Sequence, residues 1–416
     1  MPSGRTLALD ALGRWRSGLE FADRIVAQTF PRSSLGSSDR AFALELFYGV
    51  LRNLTLLDFW IGQLRSAPVD ANARDLLRLG LYQILLIETA AHAAVFETVE
   101  LARPRARSLI NAILRRALRE KDNLTSAAGA QPLPIRFSTP AFLIEKWSAQ
   151  FETADLIELC QWNNQPAPVY ARINQLRITL DEFLARYPGS TLLAGSSNFV
   201  TLRDPGAALH DGDCYIQDPS TALACELLGA RPGDNVLDAC AAPGGKAAYL
   251  AEMMENQGAL LAADQDASRL ERLRENLVRL GVNNARVVRC DWSDEESIRR
   301  AALPLHSLDK ILVDAPCTNT GVLRRRVDLR WRLRPDDFAR MQRLQLAILD
   351  AVTPLLKPGG SLVYSTCSLE PEENEAVVRQ FLRDQPGFRL TATKLSLPFR
   401  DRFDGAFAAR LERSGT

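Results

Sequence analysis

Apolar residues along the first 125 positions recur at the spacing of one helical face. Ser38 and Asp39 precede Phe42, Leu46, Phe47, Val50 and Leu51, the pattern of an N-capped amphipathic helix. Segments 76–87, 95–101 and 109–118 repeat it, the last with Ile113 and Leu114 inward and Arg115, Arg116 and Arg119 outward. No period of two interrupts the run, so residues 1–125 are predicted to be all-helical. SAAGAQPLPIRFS, 126–138, has the small residues and prolines of a linker. Residues 139–215 mix two helical periods, at 140–151 and 154–160, with strands such as VYARIN at 169–174. They are expected to form a small α+β subdomain.

From Tyr215 the period changes. NVLDAC, ALLAAD, ARVVRC, KILVDA and SLVYST are short apolar runs, each followed by a loop and most by helical periodicity. Strands alternating with helices predict a mostly parallel Rossmann-like sheet covered on both faces, here over 216–413. Ligands of such sheets bind beyond the carboxyl ends of the strands. The informative residues should therefore follow each run.

After the first run comes Cys240-Ala241-Ala242-Pro243-Gly244-Gly245-Lys246, a glycine turn feeding a helix over 247–254. A phosphate-cradling loop is excluded, because Cys240 stands at its first glycine position and Ala247 replaces its magnesium-binding hydroxyl. The Gly-x-Gly-x-x-Gly dinucleotide pattern is absent. A structural turn without a ligand is the plain alternative. The second run ends at Asp264, where a carboxylate can accept from both ribose hydroxyls. The third ends at Asp291, placed to accept from an adenine amino group. Any one strand-end aspartate is also a common helix cap. Together with Asp238 and the glycine turn, they predict a nucleoside ligand without phosphates, S-adenosylmethionine, and hence a methyltransferase.

The fourth run ends in Asp314-Ala315-Pro316-Cys317 and the fifth in Thr366-Cys367. Base-amino methyltransferases often carry an aromatic residue after the fourth strand, to stack on the base. Here a thiol takes that place. Carbon methylation at C5 of cytosine needs a thiolate to add at C6, a group to assist elimination, and an acid near N3 and N4. Cys367, Cys317 and Asp314 are available at adjacent strand ends. A helix expected to open at Pro371 would favour a thiolate at Cys367 through its positive end, against Glu370, Glu372 and Glu373.

Composition narrows the partners. The net charge of +1 is neutral on this point, but 45 of the 51 basic residues are arginine, whose planar fork suits phosphates and bases. A genome-wide bias toward arginine explains this equally well. Arg103, Arg105, Arg107, Arg115, Arg116 and Arg119 make a basic stretch, by default a solvated helix face and alternatively an RNA-facing patch. LRRRVDLRWRLR, 323–334, adds six arginines and Trp331, a set able to stack on unpaired bases and hold phosphates. Seven cysteines without Cys-x-x-Cys spacing, and three scattered histidines, give no metal site and suit a reduced, cytoplasmic protein. The N-terminal residues lack the apolar core of a signal peptide. The apolar run 76–87 is broken by Arg78 and Gly80 and is too short to cross a bilayer, so no membrane association is expected.

VLDACAAPGGK, DAPCTNTGVLRR and GGSLVYSTCSLEPEENE, in that order, resemble the Sun/Fmu (RsmB-type) RNA cytosine-C5 methyltransferases. DRAFALELFYGVLRN, RLGLYQILLIETAAHAAVFETVELA and LINAILRRALR resemble the NusB-like RNA-binding domain of the bacterial ribosomal-RNA members, and DGAFAARLER resembles the family's closing strand. The resemblance implies that Cys367 is the nucleophile and that Cys317 assists product release. It implies that Cys240, Ala241, Ala242, Pro243, Gly244, Gly245, Lys246, Asp264, Asp291 and Asp314 contact S-adenosylmethionine. It also implies a substrate cytosine in small-subunit ribosomal RNA, unstacked in a loop or bulge. A monomer is expected. Transfer RNA as substrate, or a non-catalytic assembly factor on a relic fold, are the competing readings. Two departures stand out: Asn319 where the family pattern has glycine, and Arg326-Val327 where it has His-Pro.

Overall fold

The structure, a computed structural model, describes residues 3–415. The chain forms two compact units. One comprises residues through Pro166 together with Leu323–Leu333; the other holds Ala167–Val322 and Arg334–Thr416.

The first unit is helical throughout. Ser37–Arg52, Ala71–Leu85, Ala91–Glu100 and Pro104–Arg119 realise the four predicted periods. Their apolar faces meet in one core that includes Leu46, Phe47, Leu77, Leu81, Val95 and Leu114. Ile113 and Leu114 are buried, whereas Arg115 and Arg119 are exposed, as the periodicity requires. Arg78, the charge that interrupts the apolar run, is neutralised by Asp58 at 2.6 Å and Asp75 at 3.0 Å.

The expected linker at 126–138 is instead helical, with helices Lys121–Gly129 and Leu133–Arg136. Small residues there serve close packing: Ala128 enters the helical core, and the Ser138 hydroxyl accepts from the Leu56 N–H at 2.9 Å. Helices Ala141–Ser148 and Thr153–Asn164 also cluster with this unit and not with the strands that follow.

The arginine-rich segment Leu323–Leu333 belongs to the same helical unit, which corrects its reading as a base-stacking loop. Arg330 is 1% exposed and donates to the carbonyl oxygens of Ser138 and Asn163 and to Asn164 Oδ1. Trp331 donates to the Leu51 carbonyl at 2.9 Å, and the Arg324 guanidinium lies over the Trp162 ring. Buried Asp328 accepts from the Ala22 N–H and the Trp15 indole. Val327 joins the hydrophobic core. Arg324, Arg330 and Arg332, expected on RNA, thus hold carbonyl groups of their own chain; within the twelve-residue motif only Arg326 and Arg334 are exposed.

The second unit contains two sheets. Strands β1 (Tyr170–Ile173), β2 (Ser190–Leu192), β3 (Phe199–Leu202) and β4 (Cys214–Ile216) form a small antiparallel sheet in the order β2-β3-β1-β4. The larger sheet contains β5 (Asn235–Asp238), β6 (Ala259–Asp264), β7 (Ala285–Arg289), β8 (Leu308–Asp314), β9 (Leu356–Thr366), β10 (Phe388–Ser396) and β11 (Ala406–Arg413). Its order is β10-β11-β9-β8-β5-β6-β7, parallel from β9 to β7, with β10 and β11 antiparallel at one edge.

The near-continuous apolar character of the strands follows from burial on both faces. Val236, Leu312 and Val363 enter one core, while their neighbours Leu237, Ile311, Val313, Leu362 and Tyr364 enter the other. The chain runs outward from β5 through β7, then returns to β8 on the opposite side of β5. That reversal is the topological switch point at which such sheets bind ligands.

Candidate active site at the carboxyl ends of the parallel strands

At the switch point the turn after β5 and the end of β8 share an open cavity. Cys240, Ala241, Ala242, Pro243, Gly245, Lys246 and Asp314 line it, as do Tyr215, Gln217 and Thr221. The last three lie on β4 and just beyond it and were not expected from sequence. Their signal was present, since the run at 214–216 also ends in polar residues. It looks like an ordinary helix cap, and Asp218 does accept from the Ser220 N–H. Gly245 is obligatory in this arrangement: a β-carbon there would lie 2.5 Å from the Tyr215 ring.

Three expected cofactor residues do not line the cavity. Gly244 faces Leu273 and Asn276. Asp264 is 4% exposed and accepts from the backbone N–H groups of Ala242 and Asp266, each at 3.2 Å. It thereby ties β6 to the glycine turn. Asp291 accepts from Ser293 through both its N–H and its hydroxyl. A carboxylate has further lone pairs, so these bonds leave both aspartates able to accept more.

The cavity rests on strained electrostatics. Asp238 is fully buried, and neither oxygen has a hydrogen bond of good geometry. Burial, with Asp314 nearby, pushes its carboxyl up to about 7. Burial alone would depress Lys246, but Asp314 accepts from its ammonium at 2.7 Å and the net shift is upward. Asp314 also accepts from the Ser365 hydroxyl at 2.9 Å. Beside this pair, the loops after β8 and β9 bring Cys317 and Cys367 together, with their sulfurs 3.4 Å apart. The contact with Cys367, reinforced by burial, pushes the Cys317 thiol well above its usual range.

A buried clamp holds the two loops in register. Glu373, unexposed, accepts from the Thr318 N–H and hydroxyl on one loop and from the Ser368 hydroxyl on the other. The Gln345 amide donates to it as well, at 3.0 Å. Gly321 lets three backbone segments meet, because a β-carbon would fall 2.7–2.8 Å from Gly405 and Cys367 carbonyl oxygens.

The clamp also explains a correction. The helix expected at Pro371 runs over Glu375–Asp384. Residues 371–374 form a turn, because Asn374 donates to the Ser368 carbonyl and accepts from the Thr366 hydroxyl, while Glu373 faces inward. No helix begins at Pro371 to assist the Cys367 thiolate. Among the described residues there is no cluster of three or more histidine, cysteine or acidic side chains able to hold a metal ion, and no helix is long and apolar enough to cross a membrane.

A switch-point cavity bounded by a glycine turn and the strand-end carboxylate of Asp314, on a parallel sheet with an antiparallel edge, defines an S-adenosylmethionine-dependent methyltransferase. The family model described as 16S rRNA methyltransferase RsmB/F matches residues 225–411, the NusB family model residues 2–119, and an RsmF/B-like ferredoxin-like domain model residues 139–197. Ribosomal RNA small subunit methyltransferase B of Salmonella arizonae is 35% identical, covering 91% of this chain and 92% of its own. The chain belongs to this ribosomal RNA methyltransferase family. A methyltransferase homologue from Pyrococcus horikoshii, known from its crystal structure, is 30% identical with a TM-score of 0.59, covering 68% of this chain and 97% of its own. NSun6 from the same organism, crystallised with SFG, shares the fold at 22% identity and a TM-score of 0.59, covering 67% of this chain and 98% of its own.

Proposed function

We propose that this methyltransferase modifies C5 of an unstacked cytosine in small-subunit ribosomal RNA through a covalent bond to Cys367. The observation that carries the reading is the pair of thiols 3.4 Å apart at the ends of β8 and β9, beside Asp314. The cofactor-binding assignment goes to residues 240–246, Asp264, Asp291 and Asp314, with Tyr215, Gln217 and Thr221 added from the cavity wall. S-adenosylmethionine, when bound, supplies an electrophilic methyl group.

Two thiolates at this separation repel, so the pair ionises one at a time. The Cys367 thiolate adds to C6, and the displaced electron pair makes C5 nucleophilic; C5 would then take the methyl group from bound S-adenosylmethionine, with S-adenosylhomocysteine as the leaving group. Asp314, steadied by Lys246 and Ser365, takes the N3–N4 edge of the base. Once the Cys367 sulfur is bonded to carbon it carries no charge, and the largest influence holding the proton on Cys317 is gone. Cys317 then ionises and removes the C5 proton. The C5–C6 double bond reforms and Cys367 leaves as thiolate. The protein acts as a monomer in the cytoplasm.

The two cysteine variants test this directly. Cys367→Ala loses methylation and forms no adduct. Cys317→Ala attacks and transfers methyl but stalls before elimination. With ribosomal RNA and labelled cofactor it accumulates a protein–RNA adduct, carrying the methyl label, that survives denaturing electrophoresis. Trapping by Cys367→Ala instead would reverse the two roles; turnover without trapping in both variants would exclude the thiol mechanism. Labelling of transfer RNA in place of ribosomal RNA would move the substrate.

A further inference from the structure

Asn319 departs from the glycine expected at its position, and its backbone has φ +57°. Asparagine tolerates that left-handed conformation better than most residues with a β-carbon, so the backbone alone could account for it. It does not account for the side chain. The Asn319 amide nitrogen donates to the Cys317 carbonyl at 2.6 Å, and its oxygen lies 3.0 Å from the Cys367 sulfur. The opposite amide orientation would set two acceptors against each other at 2.6 Å, so the carbonyl end must face the thiol. An amide oxygen there accepts the Cys367 S–H. It offers nothing to a thiolate.

We infer that Asn319 is a positioning residue for the nucleophile: it aims the Cys367 thiol and favours its protonated form, coupling it to the backbone of the Cys317 loop. This rests on the reading of Cys367 as the nucleophile. The Cys317 sulfur lies 3.4 Å from this sulfur, and the Lys246 charge acts on it from a distance. Asp314 is paired with Lys246, and Glu373 acts on Cys317. None of these groups is removed when residue 319 alone is changed.

Asn319→Gly is the informative variant, because glycine adopts φ +57° without strain while deleting the acceptor. Asn319→Asp keeps an acceptor and adds a negative charge. The reduced full-length protein is treated with iodoacetamide across pH 6 to 10, and modification of the Cys367 peptide is followed by mass spectrometry. Removing a hydrogen bond to the neutral form should move the Asn319→Gly rate profile down by about half to one pH unit, a three- to tenfold faster reaction near neutrality. Asn319→Asp should move it up by at least as much. Superimposable profiles for Asn319→Gly and wild type, a rate change equal at every pH, or a downward shift in Asn319→Asp would each overturn the inference. The reaction needs neither RNA nor cofactor. Failure of cytosine-C5 methylation therefore leaves this result standing, and superimposable profiles leave the adduct-trapping test untouched.

Discussion

Segments 314–321 and Leu323–Leu333 are almost contiguous, yet they live in opposite chemistry. The first contributes Asp314, Cys317, Thr318 and Asn319 to the strand-end site, where side chains bond to one another. The second is a strap of the helical unit, where arginines satisfy backbone carbonyl groups. A run of arginines is therefore no measure of RNA contact by itself. What decides is whether the chain's own unpaired acceptors compete for the guanidinium groups, and around Arg330 they do.

The comparison breaks most visibly at Arg330. Burial lowers its pKa to about 10, yet its bonds to Ser138, Asn163 and Asn164 hold it in place. Arg330→Ala leaves three acceptors unmatched and a cavity, and should reduce the unfolding free energy by about 3–5 kcal/mol in urea titrations of the full chain. If the strap were an RNA reader, the same variant would keep its stability and lose RNA affinity.

At the strand-end site the expected sign is reversed. The Asp238 carboxyl titrates near 7 in the folded protein, against 3.8 for a free aspartate, so the folded state holds more protons between those values. Stability therefore falls as pH rises from about 4 to about 7 and levels off above. Asp238→Asn should flatten that profile and gain on the order of 4 kcal/mol at pH 8 while gaining nothing near pH 4, an upper figure because the new amide also needs partners. Parallel unfolding profiles for the two proteins would show that the buried carboxylate carries no such burden.

The smallest effect belongs to the exposed face of helix Pro104–Arg119. Arg115 and Arg119 are exposed, and substituting both with alanine should alter stability by less than about 0.5 kcal/mol. If this face meets phosphates, the slope of log affinity for ribosomal RNA against log salt should fall by about one per lost contact. An unchanged slope would leave it a solvated surface.

Much of the fold was legible because burial writes a period into the chain. Helices in the N-terminal unit and the five parallel strands lie where apolar spacing predicted them; Cys240, Asp314, Cys317 and Cys367 follow strand ends as the alternation required, and Lys246 lies in the first turn of the next helix. Residues 126–138 misled because small residues and prolines mark tight helix packing as readily as linkers. The helix start at Pro371 misled because Glu373 turns inward to Thr318 and Gln345, far away in sequence, while Asn374 folds back onto Thr366 and Ser368. Gln217 and Thr221 were hidden for the same reason: β4 precedes the large sheet and belongs to another one.

Sequence alone determined the order of elements, the kind of sheet and the strand-end positions of the aspartates and the two cysteines, since periodicity and strand-end position are local consequences of burial. Only the tertiary structure decided that the cysteine sulfurs meet at 3.4 Å, that Glu373 clamps their loops, that Asn319 touches both, and that Arg330 is buried. Each of these depends on partners distant along the chain. Hydrogen bonding and desolvation act through space, and a residue's type does not reveal which acceptor will stand in front of it.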